Sequence, residues 1–201
     1  PLENVEAKII TSCNHDTTLS TDASGNISLK LFPECNYTFC FTNRQYYYSI
    51  DSLTTKDKSI SQNFSIPVKL ERINLNTPVI WNGIDFKKKD WQLQLTSGKT
   101  LETLVKMLKE NPLINIEIGA YTDSRGTDAE NLKLTQRRAE LVQQYLTSRE
   151  IKSDRITAKG YGEAKLLNKC VNGLLCLEED HQVNNRIEIT VKSISKSPPS
   201  P

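Results

Sequence analysis

Histidine is nearly absent from this chain of 201 residues, which has only His15 and His181, and no Cys-x-x-Cys pair occurs. A closed zinc site built from the usual Cys and His spacings is therefore not expected. The chain also has no His-Glu-x-x-His, no Gly-x-Ser-x-Gly and no cysteine with a matching histidine. Those absences remove the signatures of a metallohydrolase, a serine hydrolase and a thiol enzyme. Carboxylates at Asp123, Asp128 and Glu130 fall near one loop, but no pair spaced for glycoside hydrolysis follows from them. No catalytic residue, metal or cofactor is expected.

Long apolar runs are missing too. Nothing approaches the ~18 or more residues that cross a bilayer, and Pro1 to Glu6 has neither the basic nor the apolar region of a secretory signal. Without an initiating Met, the expectation is a mature chain or an excised part of a longer one. Charge of one sign is also scarce: the formal net charge is +2. This offers neither a nucleic-acid groove nor a polybasic membrane surface, so no nucleic-acid partner is expected.

What is present is an ordinary globular balance, with 37% hydrophobic and 25% charged residues, enough for one domain or two small ones. Residues 1–73 alternate apolar and polar positions: Ile27, Leu29 and Leu31; Tyr37, Phe39 and Phe41; Phe64, Ile66, Val68 and Leu70. Period two with one apolar face predicts half-buried strands, and Thr21-Asp22-Ala23-Ser24-Gly25-Asn26 predicts a turn between them. A small all-β sandwich is expected. From residue 74 the period changes. A strand from Val79 to Phe86 precedes a helix over residues 97–110, whose Leu101, Leu104, Val105 and Leu108 form an i, i+3, i+4, i+7 stripe. Asn111-Pro112 stops that helix. Ile114, Ile116 and Ile118 form the next strand, a second helix carries Leu134, Ala139, Val142 and Leu146, and strands follow at 156–160 and 187–191. The expectation for residues 74–193 is an α+β domain of βαβαβ type, helices layered on a mixed sheet. Residues 194–201, rich in Ser and Pro, are expected to be a disordered tail. Of the five cysteines, Cys170 and Cys176 flank a Gly-containing segment able to close a small disulfide loop in an oxidising compartment. The pairing of Cys13, Cys35 and Cys40 stays open.

The chemistry concentrates in Thr122-Asp123-Ser124-Arg125-Gly126-Thr127-Asp128-Ala129-Glu130-Asn131 and the helix after it. Asp123 falls just past a buried strand, where scaffolds present ligand groups in loops. Gly126 permits a sharp return. Thr135 is the simplest cap for the helix, which would place Arg138 in its first turn, beside free N–H groups. A ligand with an ammonium and a carboxylate on one carbon fits such a pair. The ammonium donates to Asp123 and the carboxylate accepts a guanidinium fork. The competing reading is that Asp123 and Arg138 simply pair with each other, and spacing alone leaves both open.

Gly119-Ala120-Tyr121-Thr122-Asp123, Gly126, Asn131, Leu134-Thr135-x-x-Arg138-Ala139, Val142, Tyr145-Leu146, Arg155-Ile156, Gly160-Tyr161-Gly162-Glu163 and Asn184-Asn185-Arg186 resemble, in order, the OmpA C-terminal family across residues 74–192. The resemblance implies a periplasmic module that binds peptidoglycan. Its Asp and Arg fall on Asp123 and Arg138 and hold the free amino-carboxylate end of diaminopimelate in the stem peptide. Thr122, Asn131 and Tyr121 lie in the same motifs and join the expected ligand-binding set. Two departures stand out: Asn185 replaces the first Arg of an Asn-Arg-Arg motif, and Phe86-Lys87-Lys88 makes the end of the first strand more basic. Residues 1–73 resemble a carboxypeptidase-regulatory-like β-domain through Thr21-Asp22-x-x-Gly25 and Asn36-Tyr37-Thr38. The Cys170 to Cys176 loop resembles a subgroup that fuses the two modules, among outer-membrane lipoproteins of type IX secretion. That implies a non-catalytic wall anchor, attached to the outer membrane through an upstream region, with other outer-membrane or periplasmic secretion components as partners. The alternative is a protein–protein adaptor without wall binding.

Overall fold

The computed structural model describes residues 1–58, 62–88 and 90–196. The chain divides into two compact units, Pro1–Ile73 and Asn74–Pro201. In the first, β1 (Glu6–Thr11), β2 (Thr17–Ser20), β3 (Asn36–Asn43) and β4 (Tyr46–Thr54) form one antiparallel sheet in the order β2-β1-β3-β4. Ala7, Ile9 and Tyr37 bury one face of it, the period-two consequence of pleating. A disulfide joins Cys13, just after β1, to Cys35, just before β3, while Cys40 is free and buried. The turn at Asp22 forms as its residues dictate. The Asp22 carboxylate accepts the amides of Ser24 at 2.8 Å and Asn26 at 2.9 Å, and Gly25 takes a φ of +76°.

The sandwich expected here is not complete. Among the described residues there is a single sheet, and the two segments predicted as strands, around residues 27–31 and 64–70, make no ladder. Their alternating side chains instead cover the sheet. Leu29, Leu31, Ile66 and Leu70 line a cavity of about 490 Å³ with Phe39, Phe41 and Leu53. An apolar edge needs burial, not strand pairing, so the same alternation is satisfied by an extended segment laid across a face.

In the second unit, β5 (Pro78–Ile80), β6 (Ile114–Tyr121), β7 (Ile156–Gly160) and β8 (Arg186–Ile194) are ordered β5-β8-β6-β7, with β6 and β7 parallel and the other pairs antiparallel. Helices α1 (Ser97–Glu110), α2 (Asp128–Ser148) and the short α3 (Glu178–Gln182) complete it. The α1 stripe of Leu101, Leu104, Val105 and Leu108 is buried as its spacing demands. Two boundaries differ from expectation. The first strand stops at Ile80 because Gly83, at a φ of +87°, turns the chain, and Phe86 forms only an isolated bridge to Leu93. The tail starts late: Ile194 still pairs with Ile114, and the Ser195 amide donates to the Leu113 carbonyl at 2.7 Å. Residues 197–201 of the expected tail lie outside the described residues.

Two residues fasten the helices α1 and α2 to the sheet. Buried Arg155 donates to the carbonyls of Ile114, Leu108 and Asn111 at 2.8 to 3.1 Å, tying the end of α1 to the start of β6. Gly160, at the end of β7, lies so near α2 that a Cβ would fall 2.6 Å from the Gln136 Cα. Backbone cannot yield as a side chain does. Gly160→Ala is therefore expected to lower stability by ~1–3 kcal/mol, read as a fall in the midpoint of a urea unfolding curve at unchanged slope.

Candidate ligand cleft

The buried stripe of α2 changes character along its length. Its second half is apolar, with Ala139, Val142 and Leu146, while its first half is polar, with Asn131, Thr135 and Arg138. Polar groups buried on a core-facing stripe require partners, and theirs define the site. The helix begins earlier than the Thr135 cap would imply. Thr127 caps it in a capping box with Glu130, each receiving the other's amide at 3.3 Å. Thr135 is an interior residue whose hydroxyl donates to the Asn131 carbonyl at 2.8 Å and accepts the Gly162 amide at 2.9 Å. Arg138 consequently sits well inside the helix, away from the positive end of the helix dipole.

Asp123 and Arg138 are both buried, and no direct hydrogen bond or ion pair joins them. Asn185 stands between them: its amide nitrogen donates to Asp123 Oδ2 at 2.9 Å, and its carbonyl oxygen accepts from Arg138 Nη1 at 3.1 Å. The same oxygen accepts the Thr122 hydroxyl at 3.0 Å. Arg138 Nε donates to the Asp90 carbonyl at 2.9 Å, and its guanidinium lies 4.9 Å from the centre of the Phe86 ring. Its Nη2 has no partner among the described residues. Burial pushes the Arg138 guanidinium down to about 10, with Asp123 and Asp90 opposing the shift, so it remains charged at neutral pH. For Asp123, burial pushes the carboxyl up, but the Arg125 and Asn185 donors outweigh it and hold it at about 2.

Thr122, Asp123, Asn131 and Arg138 all line one cleft of about 650 Å³, together with Phe86, Arg125, Lys133 and Asn185. Asn131 caps the turn from below, with its amide donating to Glu163 and, at 3.4 Å, to the Asp123 carbonyl. Gly126 takes a φ of +116° there, which only glycine adopts without strain. Tyr121 is a correction to the expected set. Its ring is buried against Tyr161 at 4.9 Å and under the Arg186 guanidinium at 4.0 Å, and it does not line the cleft. Tyr121 ends β6 and packs onto Tyr161 and Arg186, whereas Thr122, the first residue past the strand, lines the cleft.

Four groups in or beside the site were not singled out from sequence: Asn185, Arg125, Glu178 and Asp90. Asn185 was visible only as a departure from a motif. Arg125, two residues past Asp123, carried a signal in its spacing across a tight turn. Glu178 and the Asp90 carbonyl carried none, because both reach the site from distant segments. The disulfide of Cys170 and Cys176 forms, with Cα atoms 6.0 Å apart, and its loop abuts the binding turn. Ser124 Oγ donates to the Cys170 carbonyl at 2.6 Å, and the Asn172 amide donates to the Gly126 carbonyl at 3.3 Å. Among the described residues no group of three or more His, Cys, Asp or Glu is placed to hold a metal ion, and no helix is long and apolar enough to cross a membrane.

Residues 86–173, which include the cleft turn and α2, match the model of the OmpA family. Among curated proteins, the chain is 37% identical over 93 residues to outer membrane porin F of Pseudomonas fluorescens, covering 46% of this chain and 27% of that one. It is 33% identical over 115 residues to the peptidoglycan-associated lipoprotein of Buchnera aphidicola, covering 56% and 64%. A solved structure of the peptidoglycan-associated lipoprotein from Burkholderia pseudomallei is 29% identical, with a TM-score of 0.43, and covers 53% of this chain and 84% of that one. The chain spans less than two thirds of the length of these curated relatives.

The Asp123 carboxyl sets an acid dependence. Its folded value lies below the ordinary 3.8, so its contribution is complete above the unfolded value and is lost as pH falls toward about 2. That contribution is on the order of 2 kcal/mol. In Asp123→Asn, the stability measured by urea unfolding should decline less between about pH 4 and pH 2 than in the wild type; identical slopes would show that the carboxylate gains nothing on folding.

Proposed function

We propose that the second unit binds peptidoglycan without catalysis, gripping the free amino-carboxylate end of diaminopimelate in the stem peptide and so anchoring an outer-membrane assembly to the wall from the periplasm. The observation that carries this reading is the polarity of the Asn185 bridge. Its amide offers a donor to Asp123 and an acceptor to Arg138, the same order of donor and acceptor as the ammonium and carboxylate of an α-amino acid. The acid and base are thus set at the separation of one small head group, are not spent on each other, and face an open cleft. Asp123 takes the ammonium, Arg138 takes the carboxylate with its free Nη2 edge, and Thr122 and Asn131 hold the turn. The name of the similar lipoprotein of Buchnera aphidicola, which is called peptidoglycan-associated, supports the ligand class. A type IX secretion assembly is the partner supported by the sequence resemblance of residues 1–73 to a regulatory-like β-domain and by the Cys170 to Cys176 loop.

Removing either charge leaves the ligand's opposite charge unpaired in a desolvated site. Asp123→Ala and Arg138→Ala are each expected to weaken binding by ~2–5 kcal/mol, read as loss of co-sedimentation with purified sacculi while circular dichroism shows a folded protein. Stems with lysine in place of diaminopimelate lack the distal carboxylate and leave Arg138 unsatisfied. Calorimetry should show clear discrimination against them, and equal affinity for the two stem types would falsify the head-group assignment.

A further inference from the structure

Asp123 already holds a full complement of donors. A carboxylate offers about four lone-pair positions. Oδ1 accepts the Arg125 backbone amide and Arg125 Nε, each at 3.0 Å, and Oδ2 accepts Arg125 Nη2 and the Asn185 amide, each at 2.9 Å. A ligand ammonium therefore cannot be added; it must replace a donor. Two of the four are fixed. The Arg125 amide is backbone, and Asn185 is itself held by Thr122, Arg138 and the His181 carbonyl. The Arg125 guanidinium is the movable one, since its side chain is one third exposed and grows from the turn at Gly126.

The guanidinium has a second partner ready. Glu178 Oε2 accepts Arg125 Nη1 at 2.8 Å and Oε1 accepts Nη2 at 3.3 Å, while Gln182 and Lys88 steady the same carboxylate at 2.8 Å and 3.2 Å. Glu178 sits two residues beyond Cys176, on α3, next to the disulfide loop that is hydrogen-bonded to the binding turn. The resting site is thus tied to the turn that Arg125 would leave.

We propose, resting on the head-group reading above, that Arg125 is an internal cation occupying the ammonium position on Asp123, and that the ligand binds by exchange, with the Arg125 guanidinium leaving Asp123 and staying on Glu178. Arg125 then acts as a specificity residue. Only a ligand that brings a cation for Asp123 and, at the same moment, an anion for Arg138 recovers more than the exchange costs. A lone amine displaces one charged hydrogen-bonded pair for another and gains little, and a lone carboxylate leaves Arg125 in place.

The two partners of Arg125 make opposite predictions. In calorimetric titrations with a stem tripeptide ending in meso-diaminopimelate, Arg125→Gln should bind about tenfold more tightly than the wild type, because no internal cation has to be displaced. Glu178→Gln, a change at a half-exposed surface position, should bind more weakly by a similar factor, because the bound state leaves the guanidinium Glu178 as its one charged partner, whereas the free state keeps Asp123 as well. In the double variant the effect of Glu178→Gln should vanish. As a readout that a structural role would not move, the Arg125 Nε–H resonance should shift on saturation as its bond to Asp123 breaks. Weaker or unchanged binding in Arg125→Gln, with Arg138→Ala still abolishing binding, overturns the exchange and leaves the head-group reading standing. An unmoved Nε–H resonance at saturation overturns it too, even if Arg125→Gln proves unstable. A wild-type protein that does not bind the tripeptide at all removes both.

Discussion

The burial of the Arg138 guanidinium is the constraint around which the second unit is arranged. A buried charge is costly unless it is paired and hydrogen-bonded, and each neighbour offsets part of that cost. Phe86 offers its ring face, Asp90 its backbone carbonyl and Asn185 its side-chain oxygen. Asp123 adds attraction through space, and burial alone would otherwise push the guanidinium further from its charged form. None of these contacts uses up the outer edge of the fork. The result is a cation with one edge of its fork unused among the described residues and lining an open cleft, an arrangement preorganised for an anion.

That arrangement depends on ordinary packing a few ångströms away. The apolar half of α2 seats Ala139, Val142 and Leu146 in the core, and the missing side chain at Gly160 lets the helix come close enough to β7 for its polar half to reach the turn after β6. Thr135 uses its hydroxyl to fasten the helix to Gly162. Arg155 locks α1 to β6 from the other end. Stability and site therefore share one network of contacts.

The legible parts of this molecule were those governed by local chemistry. The stripe of α1, the Ile114, Ile116 and Ile118 strand, the Asx turn at Asp22 and the loop closed by Cys170 and Cys176 each follow from spacing or from a single residue's preference. Less legible were features decided by tertiary context. The apolar alternation at residues 27–31 and 64–70 was genuine, yet it became a cover over one sheet because burial was available without a ladder. Thr135 looked like a cap since it precedes Arg138, but Thr127 and Glu130 form the reciprocal pair that starts the helix. Tyr121 shares a motif with Thr122, yet its ring is taken up by packing against Tyr161 and Arg186. Asp123 and Arg138 were recognisable by residue type and order. The amide that sets their spacing, Asn185, was not, because it arrives from the start of β8, distant in sequence though paired beside β6, and looked like a defect in a motif.

The most direct measurement of the central claim is a calorimetric comparison of two stem tripeptides that differ only at the distal carboxyl of diaminopimelate, one free and one amidated. Amidation keeps size, shape and ammonium but removes the anion that Arg138 is built to receive. The account requires affinity for the amidated stem to fall by ~100-fold or more. Equal binding of the two would mean that the buried guanidinium serves the fold alone and that the cleft does not read the amino-carboxylate head group.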